Sequence, residues 1–466
     1  MTELTIPLER KSKEPLYEQI YNFIKREIRS GSFPASTRLP STRALALHLE
    51  VSRSTAQIAY EQLLSEGYIE VVPCKGYYVS GIETLIEVPK ILEKKQQSPV
   101  LAQSSLAVDF SPGGIDWKHF PYSIWRKLSR NILSDEHKDL FAAGDSQGEF
   151  RLRSAIASYL HYARGVYCTP EQIVVGAGNE YLLMLLSQLI DDNRIIAMEN
   201  PTYRQAYRVF RSLNQEVVSV EMDKNGMNVK LLEETKASIA YVMPSHQFPF
   251  GIVMPVKRRQ ELLAWAQSGE GRYIIEDDYD SEFRYKGIPV PALQGTDHHQ
   301  RVIYMGTFSK SIAPAIRISY MVLPAKLMEV YNNKISFYAS TVSRVDQMIL
   351  AKFIGEGYYE RHLNKMRGIY KSKHDCLLNA LKALEDRFEI SGDYAGTHIL
   401  LKSNNGSREE ELIKKAGEKS VGVYGLSSYY IGEYPENYEG TILLGYADLS
   451  EEEIEAGISL LKEAWC

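Results

Sequence analysis

The sequence predicts two domains: a small, mainly α-helical N-terminal domain that carries a two-stranded β wing, and a larger α/β domain with a mainly parallel sheet. Helical patterns followed by an alternating stretch fill residues 10–81, and apolar strands alternate with helices over residues 108–466. The 466 residues also exceed the length of one ordinary domain. Residues 82–107 have two prolines, a basic run and no strong period, so we interpret them as a linker.

The N-terminal domain is predicted to contain a helix-turn-helix. An amphipathic helix over 15–28 is followed by a short helix over 41–49 and a third helix over 53–66. Ser41 and Ser52 precede the second and third helices, and serine side chains are good caps for helix N-termini. Two short helices joined by a tight turn are typical of this motif.

Residues 68–79 alternate in polarity around a turn at Lys75 and Gly76, which predicts a two-stranded wing. A wing beside a helix pair indicates DNA binding, because the small polar residues that begin the third helix allow it to enter the major groove. The third helix is predicted to meet bases or phosphates through Arg53, Ser54, Thr55 and Gln57. Phosphate contacts beside the second helix are predicted for Arg38 and Arg43, and DNA contacts in the wing are predicted for Lys75 and Gly76. Each residue alone could be a solvated surface residue, but the array favours DNA.

Composition excludes other classes of protein. The net charge is −5, and residues 1–81 carry ten Lys or Arg and nine Asp or Glu, so any DNA contact must come from local placement of charge. No window approaches the roughly 18 apolar residues of a spanning helix, and the N-terminus lacks an export signal. The four scattered cysteines have neither a disulfide nor a metal-ligand spacing. We therefore expect a cytoplasmic protein with no metal site and no membrane partner.

The most informative stretch of the larger domain surrounds Lys310. An apolar run over 302–305 predicts a buried strand that breaks at Gly306, and Lys310 follows in the turn. A lysine amine can form a Schiff base with pyridoxal phosphate (PLP), a cofactor that also needs phosphate ligands and an acid beside its pyridine nitrogen. Side chains that could bind the phosphate lie close by, at Thr307, Ser309 and Arg317.

Other parts of this domain supply the remaining groups. Residues 273–279 form a strand that ends in acids, as an aspartate for the pyridine nitrogen requires. Within residues 173–183 a strand passes through a glycine turn into a helix. The backbone N–H groups of Ala177, Gly178 and Asn179 would converge at that helix start and form an anion site.

Two further residues are candidates at strand ends. Tyr203 is placed to cover one face of the cofactor ring, and His246 could reach a cofactor oxygen. Each single signal has an ordinary alternative: a solvated lysine, strand-helix packing, a core aromatic or a structural histidine. The order of acid, lysine and arginine along the chain is more specific than any one of them.

Both domains resemble known families. The segments Leu39-Pro-Ser-Thr-Arg-Ala-Leu-Ala and Val51-Ser-Arg-Ser-Thr resemble the winged helix of GntR-type bacterial repressors. The motifs Ser-His-Gln-Phe-Pro, Glu-Asp-Asp-Tyr-Asp-Ser-Glu-Phe-Arg-Tyr and Gly-Thr-Phe-Ser-Lys-x-x-x-Pro-x-x-Arg resemble fold-type I PLP-dependent aminotransferases. Joined in one chain, the two parts resemble the MocR/GabR family of bacterial transcription regulators over nearly the whole length.

This resemblance implies roles for individual residues. Lys310 would hold PLP as an internal aldimine, Asp277 would pair with the pyridine nitrogen, and Tyr279 would bind the phenolic oxygen. The phosphate ligands would be Ser309, Arg317 and the backbone of residues 177–179. The resemblance also implies a head-to-tail homodimer, in which each DNA-binding domain crosses over the core of its partner.

One departure from the family pattern concerns the substrate. Aminotransferases of this fold hold the substrate carboxylate with an arginine near the final strand, because a guanidinium gives a bidentate pair. Here Ile442 or Leu443 is near that position, and the one arginine after residue 402 is Arg408, in a polar loop. The nearby segment that approaches the pocket in the family offers Ser427 and Ser428 and no cation. We therefore predict that this chain does not bind an amino acid in the usual way.

Two functional classes remain open. The first is a transcription regulator that binds promoter DNA and senses PLP itself, with control of vitamin B6 synthesis, or senses an amine or amino acid captured on PLP. The second is a working aminotransferase with an accessory DNA-binding domain. Retained cofactor ligands and a missing carboxylate arginine favour a regulator over an efficient transaminase. Of the possible signals we favour PLP itself.

Overall fold

The computed structural model of the protein describes residues 6–12, 14–81, 106–190, 194–285 and 290–465. They form two compact units, one within residues 1–102 and the other within residues 103–466. The linker predicted at 82–107 lies outside the described residues except for its last two positions.

The N-terminal unit has the predicted helices and hairpin. Its elements are α1 (Leu16–Arg29), α2 (Thr42–His48), α3 (Arg53–Ser65), β1 (Ile69–Val72) and β2 (Gly76–Val79). Ser41 and Ser52 cap α2 and α3, since each hydroxyl accepts a hydrogen bond of 3.1 Å from the backbone N–H three residues further on. The apolar faces of the helices enclose one core around Tyr60, which is fully buried and donates a hydrogen bond of 3.0 Å to the carbonyl of Pro40.

The wing is a short antiparallel hairpin in which Val72 lies opposite Gly76. Its turn consists of the residues between these two, so it comes slightly before the turn that we predicted at Lys75 and Gly76. Gly76 instead begins the second strand, with a φ of +110° that suits glycine. Arg38 pairs with Tyr78, so the segment before α2 lies along this second strand.

The C-terminal unit is built around a large sheet. In chain order its strands are β3 (Val108–Asp109), β4 (Ile173–Gly176), β5 (Ile195–Asn200), β6 (Glu216–Asp223), β7 (Gly226–Met227), β8 (Ile239–Val242), β9 (Tyr273–Asp278), β10 (Val302–Thr307), β11 (Ser319–Val322), β12 (Phe388–Ser391), β13 (His398–Ser403), β14 (Val421–Gly422), β15 (Tyr424–Gly425) and β16 (Thr441–Gly445). Eight of them form one sheet in the order β4-β11-β10-β9-β8-β5-β6-β7. The strands from β10 to β6 in this order are parallel, whereas β11 is antiparallel to both of its neighbours. The prediction of a mainly parallel sheet is confirmed.

Helices cover both faces of this sheet, and the last two helices of the chain pack instead in a separate core near the C-terminus. In chain order they are α4 (Tyr122–Ile132), α5 (Phe150–Arg164), α6 (Asn179–Leu189), α7 (Arg204–Ser212), α8 (Val229–Glu234), α9 (Val256–Gln267), α10 (Ala325–Lys334), α11 (Arg344–Gly355), α12 (Tyr358–Leu381), α13 (Glu409–Glu418) and α14 (Glu451–Trp465). Alternate strand residues face opposite sides: Ile274 packs in the core with Trp265 of α9, whereas Ile275 packs in the core with Phe210 of α7. Within the described parts of the chain, no helix combines the length and apolar character needed to cross a membrane.

A second, antiparallel sheet lies near the C-terminus, in the order β12-β13-β16-β15. Ile442 and Leu444 of β16 pack in a core with side chains of α12, α13 and α14. Leu443, between them, faces the other side of the sheet and packs with Leu400 and Tyr430. All three side chains of this stretch of β16 are completely buried.

The strand before Lys310 is longer than the sequence predicts. We expected it to break at Gly306, but β10 continues to Thr307, which pairs with Ser319 of β11. Gly306 is needed here for close packing, because a Cβ atom at this position would lie 2.4 Å from the hydroxyl oxygen of Tyr320. The glycine therefore admits the Tyr320 side chain and does not end the strand.

Candidate functional site

A cavity of about 320 Å³ opens where the carboxyl ends of the parallel strands β5, β8, β9 and β10 meet. Ligands bind at this edge in open α/β sheets. Of the predicted cofactor residues, the cavity is lined by Asn179, Tyr203, Asp277, Tyr279, Thr307, Ser309, Lys310 and Arg317. Residues distant in sequence thus converge on one site.

Lys310 is the one lysine in the described wall of this cavity. Its Nζ atom donates a hydrogen bond of 3.1 Å to the carbonyl of Pro112, which lies in the segment after β3. Burial lowers the pKa of Lys310, and the negative charges of Asp280 and Asp448 act against this shift. A lowered pKa increases the neutral fraction of the amine, which is the nucleophilic form.

Asp277 lies on the floor of the cavity and is 3% exposed. Its carboxylate accepts a hydrogen bond of 3.3 Å from the Asn179 side-chain amide and another from the hydroxyl of Tyr241. Burial raises the pKa of Asp277 to about 7, helped by the charges of Asp278 and Asp280 and opposed by the two hydrogen bonds. A protonated ring nitrogen placed here would relieve the cost of burying this charge.

At the other end of the cavity, Arg317 lies against the start of α6. Its Nη2 atom is 2.8 Å from a carboxylate oxygen of Glu180 and 3.3 Å from the carbonyl oxygen of Ala177. Gly178 has a φ of +94°, and a Cβ atom there would lie 2.2 Å from Arg317 Nη2. Only glycine therefore lets the guanidinium approach the start of α6. The Arg317 guanidinium and the start of α6 together form a cradle for an anion.

The donors of this cradle differ from those that we predicted. The Ala177 N–H donates to the Thr341 hydroxyl over 3.0 Å, and the Gly178 N–H donates to the carbonyl of Gly176 over 2.9 Å. Both already have acceptors, so of the three predicted N–H donors we retain Asn179, which begins α6. The first-turn N–H groups of α6 have no acceptor in their own helix and are available to a phosphate.

The hydroxyls predicted to bind phosphate stand beside this cradle. Thr307 accepts hydrogen bonds from the Ser309 N–H over 3.1 Å and from the Ser319 hydroxyl over 2.8 Å. These contacts fix the turn that presents Lys310. Ser309 itself lines the cavity.

Aromatic side chains form the walls. The ring centroid of Phe248 is 4.9 Å from that of Tyr429, 6.2 Å from that of Tyr279 and 6.4 Å from that of Tyr203. Burial raises the pKa of Tyr203 to about 12, so its hydroxyl is neutral near pH 7. A flat ring bound between Lys310 and Asp277 would meet an apolar wall on this side.

The two histidines near the cavity have different positions. His246, which we predicted to reach a cofactor oxygen, lies behind Tyr279: its Nδ1 atom is 3.0 Å from the Tyr279 hydroxyl oxygen, and His246 is not part of the cavity wall. His398 does line the cavity, and its Nε2 atom is 2.8 Å from the carbonyl oxygen of Pro249. Burial lowers the pKa of His398 to about 3, so this histidine contributes no positive charge.

The geometry gives no clamp for a substrate carboxylate. Among the described residues of the cavity wall, the cationic side chains are Lys310 and Arg317. Ile442 and Leu443 are completely buried in the two cores around β16. The side chain of Arg408 is 76% exposed and pairs with Glu439, so it is at the surface.

The two serines of the C-terminal segment are also engaged elsewhere. The hydroxyl of Ser427 donates to the carboxylate of Glu409, and the hydroxyl of Ser428 donates to the carbonyl of Gly425 over 2.9 Å. Neither serine lines the cavity. The segment contributes Tyr429 instead.

The residues around the cavity fit PLP. A carboxyl group with a raised pKa, a lysine and an anion cradle lie in one site, as a pyridine nitrogen, a carbonyl carbon and a phosphate require. The Oδ1 atom of Asn179 is also buried without a hydrogen-bond partner among the described residues. A cavity at this sheet edge that leaves a buried acceptor free is typical of a ligand site.

Several wall residues were missed by the sequence analysis. They are Pro112, Gly113, Glu180, Met243, Phe248, Pro314, Thr397, His398 and Tyr429. A signal existed for Phe248, which belongs to the Ser-His-Gln-Phe-Pro motif, and for Glu180, which follows Asn179 in the chain. Signals also existed for Tyr429, in the segment that approaches the pocket in the family, and for Pro314, in the motif around Lys310. The remaining residues lie on segments whose local pattern contains no sign of the cavity.

The N-terminal unit presents its predicted DNA-contacting residues as follows. Arg38, Arg43, Arg53, Ser54, Gln57 and Lys75 are exposed, whereas Thr55 and Gly76 are partly buried. The hydroxyls of Ser54 and Thr55 lie 2.7 and 2.8 Å from that of Ser52, so both belong to the cap of α3. The side-chain amide of Gln57 donates to Glu61 over 2.9 Å. Arg53 is thus the first cation at the exposed N-terminus of the recognition helix.

Two arginine substitutions are expected to separate base contacts from phosphate contacts. If Arg53 contacts a base edge, as predicted, Arg53→Ala should cost about 1–3 kcal/mol on the preferred DNA and much less on unrelated DNA. Arg43→Ala should weaken binding to all sequences and reduce the dependence of affinity on salt. Binding titrations at several salt concentrations measure both effects, with Arg29→Ala at the end of α1 as the control. Equal, sequence-independent losses in both variants would leave only phosphate contacts.

Both units match known families. Residues 16–79 match the bacterial regulatory proteins of the gntR family, and residues 116–461 match the aminotransferases of class I and II. The chain is 41% identical over 465 residues to an uncharacterized HTH-type transcriptional regulator, YhdI of Bacillus subtilis, and the match covers 99% of this chain and 98% of that protein.

Other similar proteins are regulators and aminotransferases. The chain is 33% identical to the probable rhizopine catabolism regulatory protein MocR of Rhizobium meliloti, with 98% of this chain and 95% of that protein covered. It is 28% identical to the HTH-type pyridoxine biosynthesis transcriptional regulator PdxR of Corynebacterium glutamicum, with 100% and 99% covered. The crystal structure of a multiple substrate aminotransferase from Thermococcus profundus matches 82% of this chain and 95% of its own, with a TM-score of 0.68 and 26% identity.

Proposed function

Because the chain belongs to the MocR-type family of gntR regulators, in which a winged helix is joined to an aminotransferase class I and II domain, we propose that PLP bound in its C-terminal domain controls its binding to promoter DNA. The winged helix makes the protein a DNA-binding transcription regulator, and the aminotransferase-type domain makes PLP its cofactor. In this proposal residues 10–81 bind DNA and residues 108–466 bind PLP.

The residues of the cavity would divide the binding of PLP among them. Lys310 would bind it covalently, Asp277 would pair with the pyridine nitrogen, and Tyr279 would face the phenolic oxygen. The phosphate would be held by Ser309, Arg317 and the first turn of α6, with Thr307 fixing the turn. Bound PLP supplies an electrophilic carbon that primary amines can attack. Tyr203 and Phe248 would shield the ring from water.

A sensing role is supported best by one observation: within the described residues, the cavity has no cation beyond those that the cofactor uses. A transaminase must hold its substrate so that a proton can be moved by the lysine, and a misplacement of about 1 Å can cost roughly a hundredfold in rate. Without a cation for the carboxylate, Lys310 has no oriented Cα–H bond to act on. Binding of PLP itself requires neither a substrate carboxylate clamp nor an oriented Cα–H bond.

The signal that we propose is PLP itself, which would make the protein a regulator of vitamin B6 synthesis. The similarity to PdxR, which is named for pyridoxine biosynthesis, supports this proposal. An amine or amino acid captured on PLP is the alternative, and the aromatic wall would favour an amine without a carboxylate over an amino acid. Of these three alternatives, a working aminotransferase has the least support from the residues of the cavity.

We also propose the assembly and the compartment. The family resemblance implies a head-to-tail homodimer in which each winged helix crosses over its partner. Large apolar side chains at the surface of the C-terminal unit support a subunit interface, among them Trp117, Tyr122 and Phe337, which are 60, 55 and 75% exposed. Action on promoter DNA would place the protein in the cytoplasm.

A titration of promoter DNA with and without PLP is expected to show two affinities. If PLP changes the affinity for DNA by some factor, DNA must change the affinity for PLP by the same factor, because the two ligands bias one equilibrium. The same preparation, mixed with common amino acids and amines, should convert little or none of its PLP to pyridoxamine phosphate. Absorption spectra measure the conversion.

The opposite pattern would contradict the regulator proposal. Rapid conversion of PLP by an amino acid, together with a DNA affinity that is indifferent to PLP, would make the protein an enzyme.

A further inference from the structure

A buried acidic residue that the proposed function does not use lies directly behind the cavity. Asp280 is 3% exposed, and its Oδ2 atom is 2.8 Å from Nδ1 of His246, which is 2% exposed. The same nitrogen is 3.0 Å from the hydroxyl oxygen of Tyr279. The three side chains thus form one hydrogen-bonded cluster, and only Tyr279 reaches the cavity wall.

The chemistry of this cluster determines where its hydrogens lie. A carboxylate only accepts hydrogen bonds, so Nδ1 of His246 must carry a hydrogen and donate it to Asp280. Because that nitrogen already carries a hydrogen, the Tyr279 hydroxyl cannot donate to it. The hydroxyl hydrogen is therefore directed to Asp280 or to a ligand in the cavity.

Asp280 also acts on the two groups that would hold PLP. Its negative charge opposes the lowering of the Lys310 pKa that burial causes. Burial is the main reason that the pKa of Tyr279 is raised, and Asp280 adds to the shift through its charge and as a hydrogen-bond partner. One carboxylate is thus coupled both to the lysine and to the tyrosine.

The surrounding backbone leaves the side chains of His246 and Asp280 little room to move. Gly396 has a φ of +78°, and a Cβ atom there would lie 2.1 Å from His246 Cε1 and 2.9 Å from Asp280 Oδ2. A Cβ atom at Gly251 would lie 3.3 Å from His246 Nε2. Two glycines therefore make room for the imidazole ring, and their backbones hold it in place.

We propose that Asp280, held by His246, is a positioning residue of the cofactor site, which directs the Tyr279 hydroxyl and supplies negative charge to Lys310. The proposal rests on the proposed binding of PLP at Lys310. When a ligand presents an acceptor oxygen, the Tyr279 hydrogen turns from Asp280 to that oxygen. The negative charge favours a positively charged nitrogen at Lys310.

Other charged or titratable groups also surround this cluster. The groups that face Lys310, Asp280 or His246 from neighbouring elements are Asp277, Asp448, His398, Arg164 and Arg284. Asp448 acts on Lys310 in the same direction as Asp280. The ring of His398 is 5.6 Å from that of His246 and stays neutral, because burial lowers its pKa to about 3. A variant of Asp280 therefore removes one of two negative charges that act on Lys310.

The test follows the visible absorption band of protein-bound PLP as the pH is raised. The midpoint is the pH at which half of this band is lost. In Asp280→Asn the midpoint should fall by about 1 unit, because loss of a nearby negative charge destabilises positive charge on the Lys310 nitrogen. Release of Tyr279 from Asp280 acts in the same direction, since the hydroxyl then donates fully to the cofactor oxygen. His246→Leu should raise the midpoint, because leucine cannot donate to Asp280, and the carboxylate then holds the Tyr279 hydroxyl away from the cofactor oxygen. Tyr279→Phe should raise it.

A matched control is available two residues further along the chain. Glu282 is 8% exposed and binds the hydroxyls of Tyr159 and Tyr359, and it is not among the groups that shift the pKa of Lys310. Glu282→Gln should leave the midpoint unchanged. If Asp280→Asn does not fold, His246→Leu and Tyr279→Phe still test the proposal, because both should raise the midpoint whereas Glu282→Gln leaves it unchanged.

The outcomes distinguish this inference from the proposed function. Absence of a visible band in the unmodified protein would overturn PLP binding at Lys310. A normal band whose midpoint is the same in Asp280→Asn and His246→Leu as in the unmodified protein would overturn the role of Asp280 and leave PLP binding intact. An equal shift in Glu282→Gln would show a general effect of buried charge and would also overturn the inference.

Discussion

Lys310→Ala is expected to abolish the visible absorption band of bound PLP and the effect of PLP on DNA affinity. Lys310 is the one lysine in the described cavity wall, and burial lowers its pKa, as a nucleophilic amine requires. The variant should still fold and bind DNA, because among the described residues the Lys310 Nζ atom of the unmodified protein makes one hydrogen bond, to the carbonyl of Pro112, and no ion pair. Absorption spectra and DNA titrations with added PLP measure the two losses.

An exposed lysine gives the control for this result. Lys326, near the start of α10, is exposed and should tolerate substitution by alanine without any change in the band. If Lys310→Ala retained a PLP group that borohydride fixes to the protein, the covalent attachment would be at another lysine. That result would contradict the assignment of the site.

Arg164→Met is expected to destabilise the C-terminal unit by about 3–5 kcal/mol, because it leaves a buried carboxylate without its partner. Arg164 and Asp278 form an ion pair of 2.8 Å, and their side chains are 3 and 1% exposed. Arg164 also donates to the carbonyl of Val290 and to the Ser245 hydroxyl. Because Asp278 follows Asp277 at the end of β9, this pair supports the floor of the cavity.

Tryptophan fluorescence during denaturant unfolding measures this loss in the C-terminal unit, since all four tryptophans lie after residue 102. The double variant Arg164→Met/Asp278→Asn should recover much of the stability, because no unpaired charge remains. Arg408→Met is the matched control: its pair with Glu439 is 76 and 46% exposed and should contribute at most about 1 kcal/mol. A cost below that of the control would show that Asp278 is not ionised when buried.

Local patterns in the sequence were sufficient for the elements of the N-terminal unit. Helical spacing and the two serine caps predicted α2 and α3 to within one residue at each end of the helices, because a cap bonds to an N–H only three positions away. Alternation predicted the wing, and only its turn differed by one position. These features depend on neighbours along the chain, which the sequence displays directly.

The order of Asp277, Lys310 and Arg317 was also visible in the sequence, since Asp277 and Lys310 stand at the ends of apolar runs and Arg317 follows seven residues after Lys310. Parallel strands bring their carboxyl ends to one edge, so such residues meet in space. The family motifs could be recognised in the same way, and the lack of an arginine for a substrate carboxylate stays a prediction. Ile442 and Leu443 are indeed buried in apolar cores.

Only the tertiary structure decided which partners these residues have. The Lys310 amine meets the carbonyl of Pro112, 198 positions away, and the Ala177 N–H that we predicted for an anion is already bound by Thr341, 164 positions away. His246 likewise lies behind Tyr279 and contacts Asp280, not the cavity. Periodicity and capping report contacts within a few residues, whereas a cavity wall is made by packing between elements that are distant in the chain. The sequence alone therefore determined the chemical groups of the site and the strands that carry them, and the packing of those strands and loops determined which groups face the ligand.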